Sequence, residues 1–234
     1  MPTSKEKFKT LKGVFDDFTE RNIFKLTSEG HFEGLESPLF IGKEANVFSA
    51  KKGDRRIVVK IYRLSTCDFK RMYEYIRSDP RFPAVKRQRR KVIFAWAQRE
   101  YRNLLKARDA GVRVPTPITS RYNILVMEYI GSDGPAQKLN NAIPENPQAF
   151  FNEVISNITK LYKAGLVHAD LSPFNILNNA EKPVFIDLSQ ATLIEDPNAK
   201  EYLERDVRNI CNFFRKLGVK ADQEEIFKKI TANH

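Results

Sequence analysis

Between residues 166 and 190 the sequence reads Leu-Val-His-Ala-Asp-Leu-Ser-Pro-Phe-Asn-Ile-Leu, a polar link, then Pro-Val-Phe-Ile-Asp-Leu-Ser-Gln. Three side chains in it offer hard oxygen donors: Asp170, Asn175 and Asp187. The apolar runs 175–177 and 184–186 have the composition of paired strands joined by the polar link 178–182. A hairpin would gather the three groups at one end. Two carboxylates and an amide oxygen crowded together need cations, and hard donors with room for water and phosphate suit Mg²⁺. That is the geometry of phosphoryl transfer. Asp170 would receive or orient the nucleophile's proton, and Asn175 and Asp187 would hold metal. Taken singly, each is also a common turn residue where strands end. The functional reading rests on the whole His-x-Asp-x-x-x-x-Asn string, followed at hairpin distance by an apolar run closing on Asp.

A second pair of residues looks misplaced until the two are considered together. Lys60 lies within Arg-Ile-Val-Val-Lys-Ile-Tyr (56–62), a strongly strand-forming run. A lysine there is costly unless its ammonium finds a partner, although on an edge strand it can snorkel to water. Residues 91–108 read as a helix with the apolar stripe Ile93, Trp96, Ala97, Leu104 and Leu105, ending before Gly111 as a C-terminal cap. Glu100 falls on that stripe. Pairing Lys60 with Glu100 satisfies both and leaves the ammonium to bridge nucleotide phosphates.

Other elements must position these groups. The periodicity predicts one or two short helices over 14–26, a strand-turn-strand from 41 to 50 with Gly53-Asp54 as the next turn, and a strand over 123–130. A Gly/Pro/Asn/Ser-rich linker over 131–147 reads as a lobe boundary, and the strand edge running into it offers backbone groups to an adenine. Helices follow over 150–163, closed by Gly165, and 202–217, capped by Gly218. Asp222 and Glu225 form a capping box for a last helix. Residues 1–12 are polar and basic, as a mobile arm would be. The 234 residues, 41% hydrophobic with 17 Phe, can build one large domain or two lobes around a real core. No run spans a bilayer and no export signal opens the chain, so no membrane partner is expected. Two cysteines, Cys67 and Cys211, are too few for a disulfide framework, and a reducing cytoplasmic compartment is the simplest. A net charge of +11 favours polyanionic partners.

The strings Gly-Lys-Glu-Ala-Asn-Val (42–47), Trp-Ala-Gln-Arg-Glu-Tyr-Arg-Asn-Leu (96–104), His-Ala-Asp-Leu-Ser (168–172) and Ile-Asp-Leu-Ser-Gln (186–190) resemble, in this order, the RIO family of atypical protein kinases, in its Rio-one type. The resemblance runs from about residue 14 to residue 214. It implies an α+β, two-lobed protein-kinase-like fold. Its N-lobe, residues 1–130 with the arm, would be an antiparallel sheet plus helix. Its reduced, mostly helical C-lobe, 131–234 with the hinge, would lack an activation segment. It implies ATP with Mg²⁺, or Mn²⁺ in its place. Ile41, Gly42, Lys43, Glu44, Ala45, Asn46 and Val47 would form the phosphate loop, without the usual triple glycine. Lys60 and Glu100 would be the catalytic ion pair, and Met127, Glu128 and Ile130 the adenine-contacting hinge. Asp170 would be the catalytic base. Asn175 and Asp187 would hold metal, and Asp187 would become phosphorylated during ATP hydrolysis.

Leu-Phe-Ile before Gly42 and Pro173-Phe174 depart from the usual Rio-one residues. No Ala-Pro-Glu follows Asp187, and the short remainder of the chain equips it to split ATP more than to grip a protein substrate. The resemblance further implies a serine/threonine kinase and ATPase acting in small ribosomal subunit maturation. Its expected partners are the immature subunit and its RNA, met by Lys86, Arg87, Arg89, Arg90 and Lys91, and its expected state is monomer or weak dimer. Residues 64–83 match the family's flexible loop, with Ser65, Thr66 and Ser78 as candidate self-phosphorylation sites. Two other readings share parts of the pattern: a small-molecule phosphotransferase of the aminoglycoside or choline kinase sort, and a non-catalytic assembly module.

Overall fold

The computed structural model describes residues 15–232, so the expected arm over 1–12 lies outside the described residues. The chain forms two compact units. The first runs through Ile76 and takes in Ala84–Tyr101 and Pro117–Tyr129; the second comprises Arg77–Pro83, Arg102–Thr116 and the chain from Ile130 onward.

The first unit is a five-stranded antiparallel sheet with helices. Helix α1 (Asp17–Ser28) begins at Asp16, whose carboxylate accepts from Thr19 N. The strands are β1 (Gly34–Ile41), β2 (Ala45–Lys52), β3 (Arg55–Tyr62), β4 (Pro117–Arg121) and β5 (Ile124–Glu128), in the order β1-β2-β3-β5-β4. Strand β3 is the pivot. Successive side chains of a strand alternate between faces. Ile57, Val59 and Ile61 therefore share one face, and they join Ile23 and Leu26 of α1 in the core. Val58, Lys60 and Tyr62 share the other, which is also buried. Lysine and tyrosine, two residues apart, are thus directed to the same side.

Helix α2 (Phe69–Ser78) occupies the stretch expected to be a flexible loop. Its Met72, Tyr75 and Ile76 recur at helical spacing and are buried, and Tyr75 meets Trp96 edge to face at 5.7 Å. The apolar anchors were present in the sequence, but the basic residues on either side of them, Lys70, Arg71 and Arg77, masked their period. Helix α3 (Arg89–Asp109) begins in the first unit and ends in the second. It stops where expected: Gly111 has φ +72°, its N–H donates to Arg108 O, and Val112 N donates to Ala107 O.

The second unit contains helices α4 (Pro147–Lys163), α5 (Ala199–Arg215) and α6 (Gln223–Thr231). Asn146 caps α4 through Ala149 N, and Pro147 sits at its first turn, where no N–H is missed. Phe214 of α5 packs against Phe151 of α4 at 5.1 Å. Asp222 Oδ1 accepts from the amides of Glu224 and Glu225, so the Asp222 half of the expected capping box opens α6. Strands β6 (Gln137–Lys138), β8 (Ile176–Asn179) and β9 (Lys182–Phe185) form one sheet, while β7 (Leu166–Val167) pairs with β10 (Thr192–Leu193). The expected linker over 131–147 therefore carries a strand. The β8–β9 hairpin is tighter than the expected five-residue link. Asn179 pairs with Lys182, leaving only Ala180 and Glu181, at φ +50° and +62°, as the turn. Among the described residues, no helix is long and apolar enough to cross a membrane.

Candidate active site

In the first unit Lys60 Nζ donates to Glu100 Oε1 at 2.8 Å, with side chains only 8% and 1% exposed. A buried ion pair of this kind persists only if its remaining lone pairs are satisfied. The hydroxyl of Tyr62 donates to Glu100 Oε2, and the Lys60 ammonium lies 5.1 Å from the Tyr62 ring centroid. Both oxygens of the carboxylate are thus held by residues of β3. Tyr62 was not foreseen, although strand alternation from Lys60 was sufficient to find it.

The turn after β1 is drawn tight. Gly42 N donates to Ala45 O at 3.0 Å, and a Cβ on Gly42 would come within 2.6 Å of the Phe40 ring and 3.1 Å of that carbonyl. The exposed Phe40 ring could swing aside, so the carbonyl contact is the one that disfavours a side chain here. Lys43 is exposed and its carbonyl accepts from Thr66 Oγ1 at 2.6 Å, while the Glu44 carbonyl accepts from Arg63 N at 2.9 Å. Ile41 is exposed, Val47 is half-buried opposite Lys60 in the β2–β3 pairing, and Ala45 and Asn46 are buried. Met127 and Glu128 end β5, paired with Val58 and Ile57 of β3. In the second unit Ile130 is buried and its carbonyl accepts from Ala136 N at 2.9 Å.

Also in the second unit, Asn175 Nδ2 donates to the Asp170 backbone oxygen at 2.8 Å and to Asp170 Oδ2 at 3.2 Å. Gln190 Nε2 reaches the same carboxylate oxygen at 3.2 Å. Ile186 N donates to Asn175 O at 3.0 Å, which brings the residue preceding Asp187 alongside Asn175. Asp187 has φ +60°, a left-handed conformation uncommon outside glycine, and its Oδ1 accepts from Ser189 Oγ at 2.9 Å. All three site residues are half-buried. With Asn175 Nδ2 committed to Asp170, no described residue donates to its Oδ1. Among the described residues, no three His, Cys, Asp or Glu side chains cluster to hold a metal. An amide oxygen and a carboxylate with solvent access suit a hard ion that keeps waters and shares phosphate oxygens, as Mg²⁺ does, and do not make a closed protein cage. The donor set fits that ion.

The backbone that presents Asp170 is anchored by α5. Asp206 accepts from Ala169 N and Leu171 N, both at 2.8 Å, on its two carboxylate oxygens. Arg205 donates to Ala169 O and Asn209 to Leu171 O. Ala169 is itself left-handed at φ +64°, so these bonds hold a conformation alanine does not favour. Burial pushes the Asp206 carboxyl up to about 7, against the two N–H donors that favour its charge. Burial likewise lowers His168 to about 4, so the ring is neutral at pH 7. Its Nε2 lies 3.1 Å from Ile186 O, which makes Nε2 the protonated nitrogen.

The sequence model of the RIO domain family matches residues 46–226, most of the chain. This chain belongs to the RIO family. A RIO-type serine/threonine-protein kinase Rio1 from Haloferax volcanii is 43% identical over 230 residues, 97% of this chain and 79% of that protein. One from Methanocaldococcus jannaschii is 42% identical over 228 residues, again 97% of this chain and 78% of that protein. Human serine/threonine-protein kinase RIO1 is 35% identical over 231 residues, 95% of this chain but 40% of that protein. The Rio2 kinase of Chaetomium thermophilum, solved as an ADP/Mg²⁺–phosphoaspartate complex, matches with TM-score 0.66 at 22% identity. That match covers 90% of this chain and 65% of the other, and its likeness is one of fold. The fold of this RIO chain is accordingly kinase-like α+β, and only the short β10 and the turns on either side of it separate Asp187 from α5.

Within the RIO chain, Asp206, Arg205 and Asn209 were not foreseen as supports. The signal for Asp206 was the one that revealed Glu100: a carboxylate on the buried stripe of a helix, here beside Leu203, Val207 and Ile210. The five basic residues over 86–91 are all exposed, and among the described residues none is paired with an acid. Arg87, Arg89 and Arg90 lie instead over the rings of Tyr73, Phe69 and Phe18, at 5.5, 5.4 and 5.3 Å from their centroids. Ser65 and Thr66 are exposed between β3 and α2, and Ser78 ends α2.

Proposed function

We propose that this chain is an ATP- and Mg²⁺-dependent RIO-type serine/threonine-protein kinase that also hydrolyses ATP. The observation that carries this reading is the Asp170–Asn175 arrangement. One amide donates to the aspartate through nitrogen and keeps its oxygen for another partner, as a residue serving both base and metal must. Asn175 Oδ1 and the Asp187 carboxylate would hold the Mg²⁺. That ion's contribution, when bound, is to neutralise charge on the phosphates. Lys60, oriented by Glu100, binds phosphate oxygens. The turn at Gly42 presents backbone N–H groups to them, and Met127, Glu128 and Ile130 offer backbone groups to adenine. Asp170, oriented by Asn175 and Gln190, takes the proton of an attacking hydroxyl. A phosphoaspartate intermediate of ATP hydrolysis at Asp187 is in line with the phosphoaspartate of the Rio2 complex.

The phosphoacceptors proposed are the chain's own Ser65, Thr66 and Ser78. The biological setting proposed is maturation of the small ribosomal subunit in the cytoplasm. There the uncompensated basic stretch 86–91 would meet RNA phosphates, with the protein a monomer or weak dimer. Family membership disfavours a small-molecule phosphotransferase, and the intact Lys60, Asp170, Asn175 and Asp187 disfavour a non-catalytic module. ATP hydrolysis and self-phosphorylation, measured with and without immature small subunits, test the reading. Turnover that is stimulated by the subunits and lost in Asp187→Ala supports it, and equal hydrolysis by Asp187→Ala and wild type rejects it. RNA association that does not weaken with salt would reject the phosphate contact.

A further inference from the structure

The turn that follows Asp187 is gripped from another part of its own unit. Leu188 O accepts from Ala191 N at 3.1 Å, closing residues 188–191. The amide nitrogen of Asn103, on α3, donates to the carbonyls at both ends of that turn, Leu188 O and Ala191 O, each at 2.8 Å. Its oxygen accepts from Arg81 Nη1 at 2.9 Å. Arg81 closes a two-pronged pair with Asp79, Nε to Oδ1 at 2.9 Å and Nη2 to Oδ2 at 2.6 Å. Asn103 is fully buried and Asp79 nearly so.

A primary amide has two N–H bonds and one oxygen, and here each is used. The Arg81 bond also decides which way the amide faces, because only the oxygen can meet a guanidinium. With that orientation set, both N–H bonds are directed at the turn. None of these groups is placed to touch phosphate, metal or the reacting hydroxyl. Each of these side-chain bonds of Asn103 goes either to the loop carrying Asp187 and Gln190 or to the residue that orients it.

The loop needs such support. Asp187 sits at φ +60°, a conformation that a non-glycine residue keeps only where its surroundings hold it. The first carbonyl after it is one of the two Asn103 clamps. Gln190, inside the clamped turn, is the side chain that reaches Asp170. One amide thereby constrains both the residue offered to the metal and a partner of the base.

We propose that Asn103 is the positioning residue for the Asp187 loop, and that the Arg81–Asp79 pair fixes Asn103 for that task. The segment Arg77–Pro83 then governs how well Asp187 is presented to Mg²⁺ without touching the ion. This rests on reading Asp187 as a metal ligand. Supports one step removed from a metal change its affinity by roughly 10- to 100-fold when lost.

The test uses the full chain and a fluorescent ADP analogue, titrated with Mg²⁺ and also measured in EDTA. Arg81→Met, which leaves the Asn103 clamp in place but undirected, is compared with Asn103→Ala, Asp187→Asn and wild type. The expected result is nucleotide binding in EDTA close to wild type for Arg81→Met and Asn103→Ala. The Mg²⁺ concentration that tightens binding should rise on the order of tenfold. Backbone amides over 188–191 should exchange hydrogen faster even without metal. Should Asn103→Ala fail to fold, Arg81→Met alone decides the matter. Folded variants needing no more Mg²⁺ than wild type, beside an Asp187→Asn protein needing far more, overturn the proposal. An Asp187→Asn protein with an unchanged Mg²⁺ requirement overturns the ligand reading, and this proposal with it.

Discussion

Lys60 and Glu100 stand on regular elements, β3 and α3, and answer each other side chain to side chain. Asp170, Asn175 and Asp187 stand on irregular backbone flanking a hairpin, and two residues there, Ala169 and Asp187, are left-handed. The first group is almost closed to water, and the hydroxyl of Tyr62 completes it. The second is half-open, and the Asn175 oxygen meets no donor among the described residues. The difference separates two tasks. A buried ion pair keeps its geometry because breaking it strands a charge in a poor solvent. A site proposed to hold a metal must leave oxygen lone pairs available, and here order reaches it through the backbone from Asp206, Arg205, Asn209 and Asn103.

Substitutions can break this contrast. Asp170→Ala should lower turnover by about 10²- to 10⁴-fold, the usual scale of a lost general base, with little change in ATP binding. Asp187→Ala should weaken Mg-ATP binding as well, and steady-state kinetics beside equilibrium titration separates the two. Glu100→Ala should cost about 3–5 kcal/mol of stability in a urea melt, because it removes one partner of a buried ion pair. A loss below 1 kcal/mol would mean the pair is not desolvated in solution. Tyr62→Phe keeps the packing and removes one donor, for an expected loss of about 1–3 kcal/mol.

The pH dependence of stability sharpens the comparison, because two buried groups in the second unit oppose each other. The Asp206 carboxyl is raised from 3.8 to about 7, chiefly by burial, with Arg205 lowering it and Asp170 raising it. Its contribution is full below about pH 4 and is lost as pH rises toward 7. His168 is lowered from 6.5 to about 4, again by burial, with Asp187 acting the other way. Its contribution is full above pH 6.5 and is lost as pH falls toward 4. The two nearly cancel between those limits in wild type. Asp206→Asn should unmask the histidine, and its unfolding free energy from urea melts should climb from pH 4 to 6.5 with a slope of at most about 1.4 kcal/mol per pH unit. An equally flat profile in the variant would refute the opposition. The smallest expected effect is that of Ser189→Ala, about 0.5–1.5 kcal/mol, from loss of its hydroxyl's bond to Asp187.

Much of this was legible in the residues because chemistry that is expensive in isolation leaves visible marks. A lysine in a β-branched strand and a glutamate on an apolar helix stripe each signal a missing partner, and the partner proved to be the other. Helix ends at Gly111 and Gly218, both left-handed, followed from glycine's freedom at positive φ. The helix over 69–78 was hidden because its apolar positions are flanked by Lys70, Arg71 and Arg77, so local composition resembled a loop. The tight β8–β9 turn was hidden because Ala180 and Glu181 carry none of the usual glycine signal for a left-handed pair.

The sequence by itself determined which side chains could carry charge, base and metal here, since residue type and spacing along an element are local properties. Only the tertiary structure decided what holds them in place. Asn103 reaches carbonyls 85 and 88 residues away, and Asp206 reaches amides 37 and 35 residues away. The backbone groups they bind are the same at every position except the missing N–H of proline, and so leave almost no mark in the residue order. Long-range closure of the fold selects among them, because a buried amide or carboxylate must find a partner wherever packing delivers one.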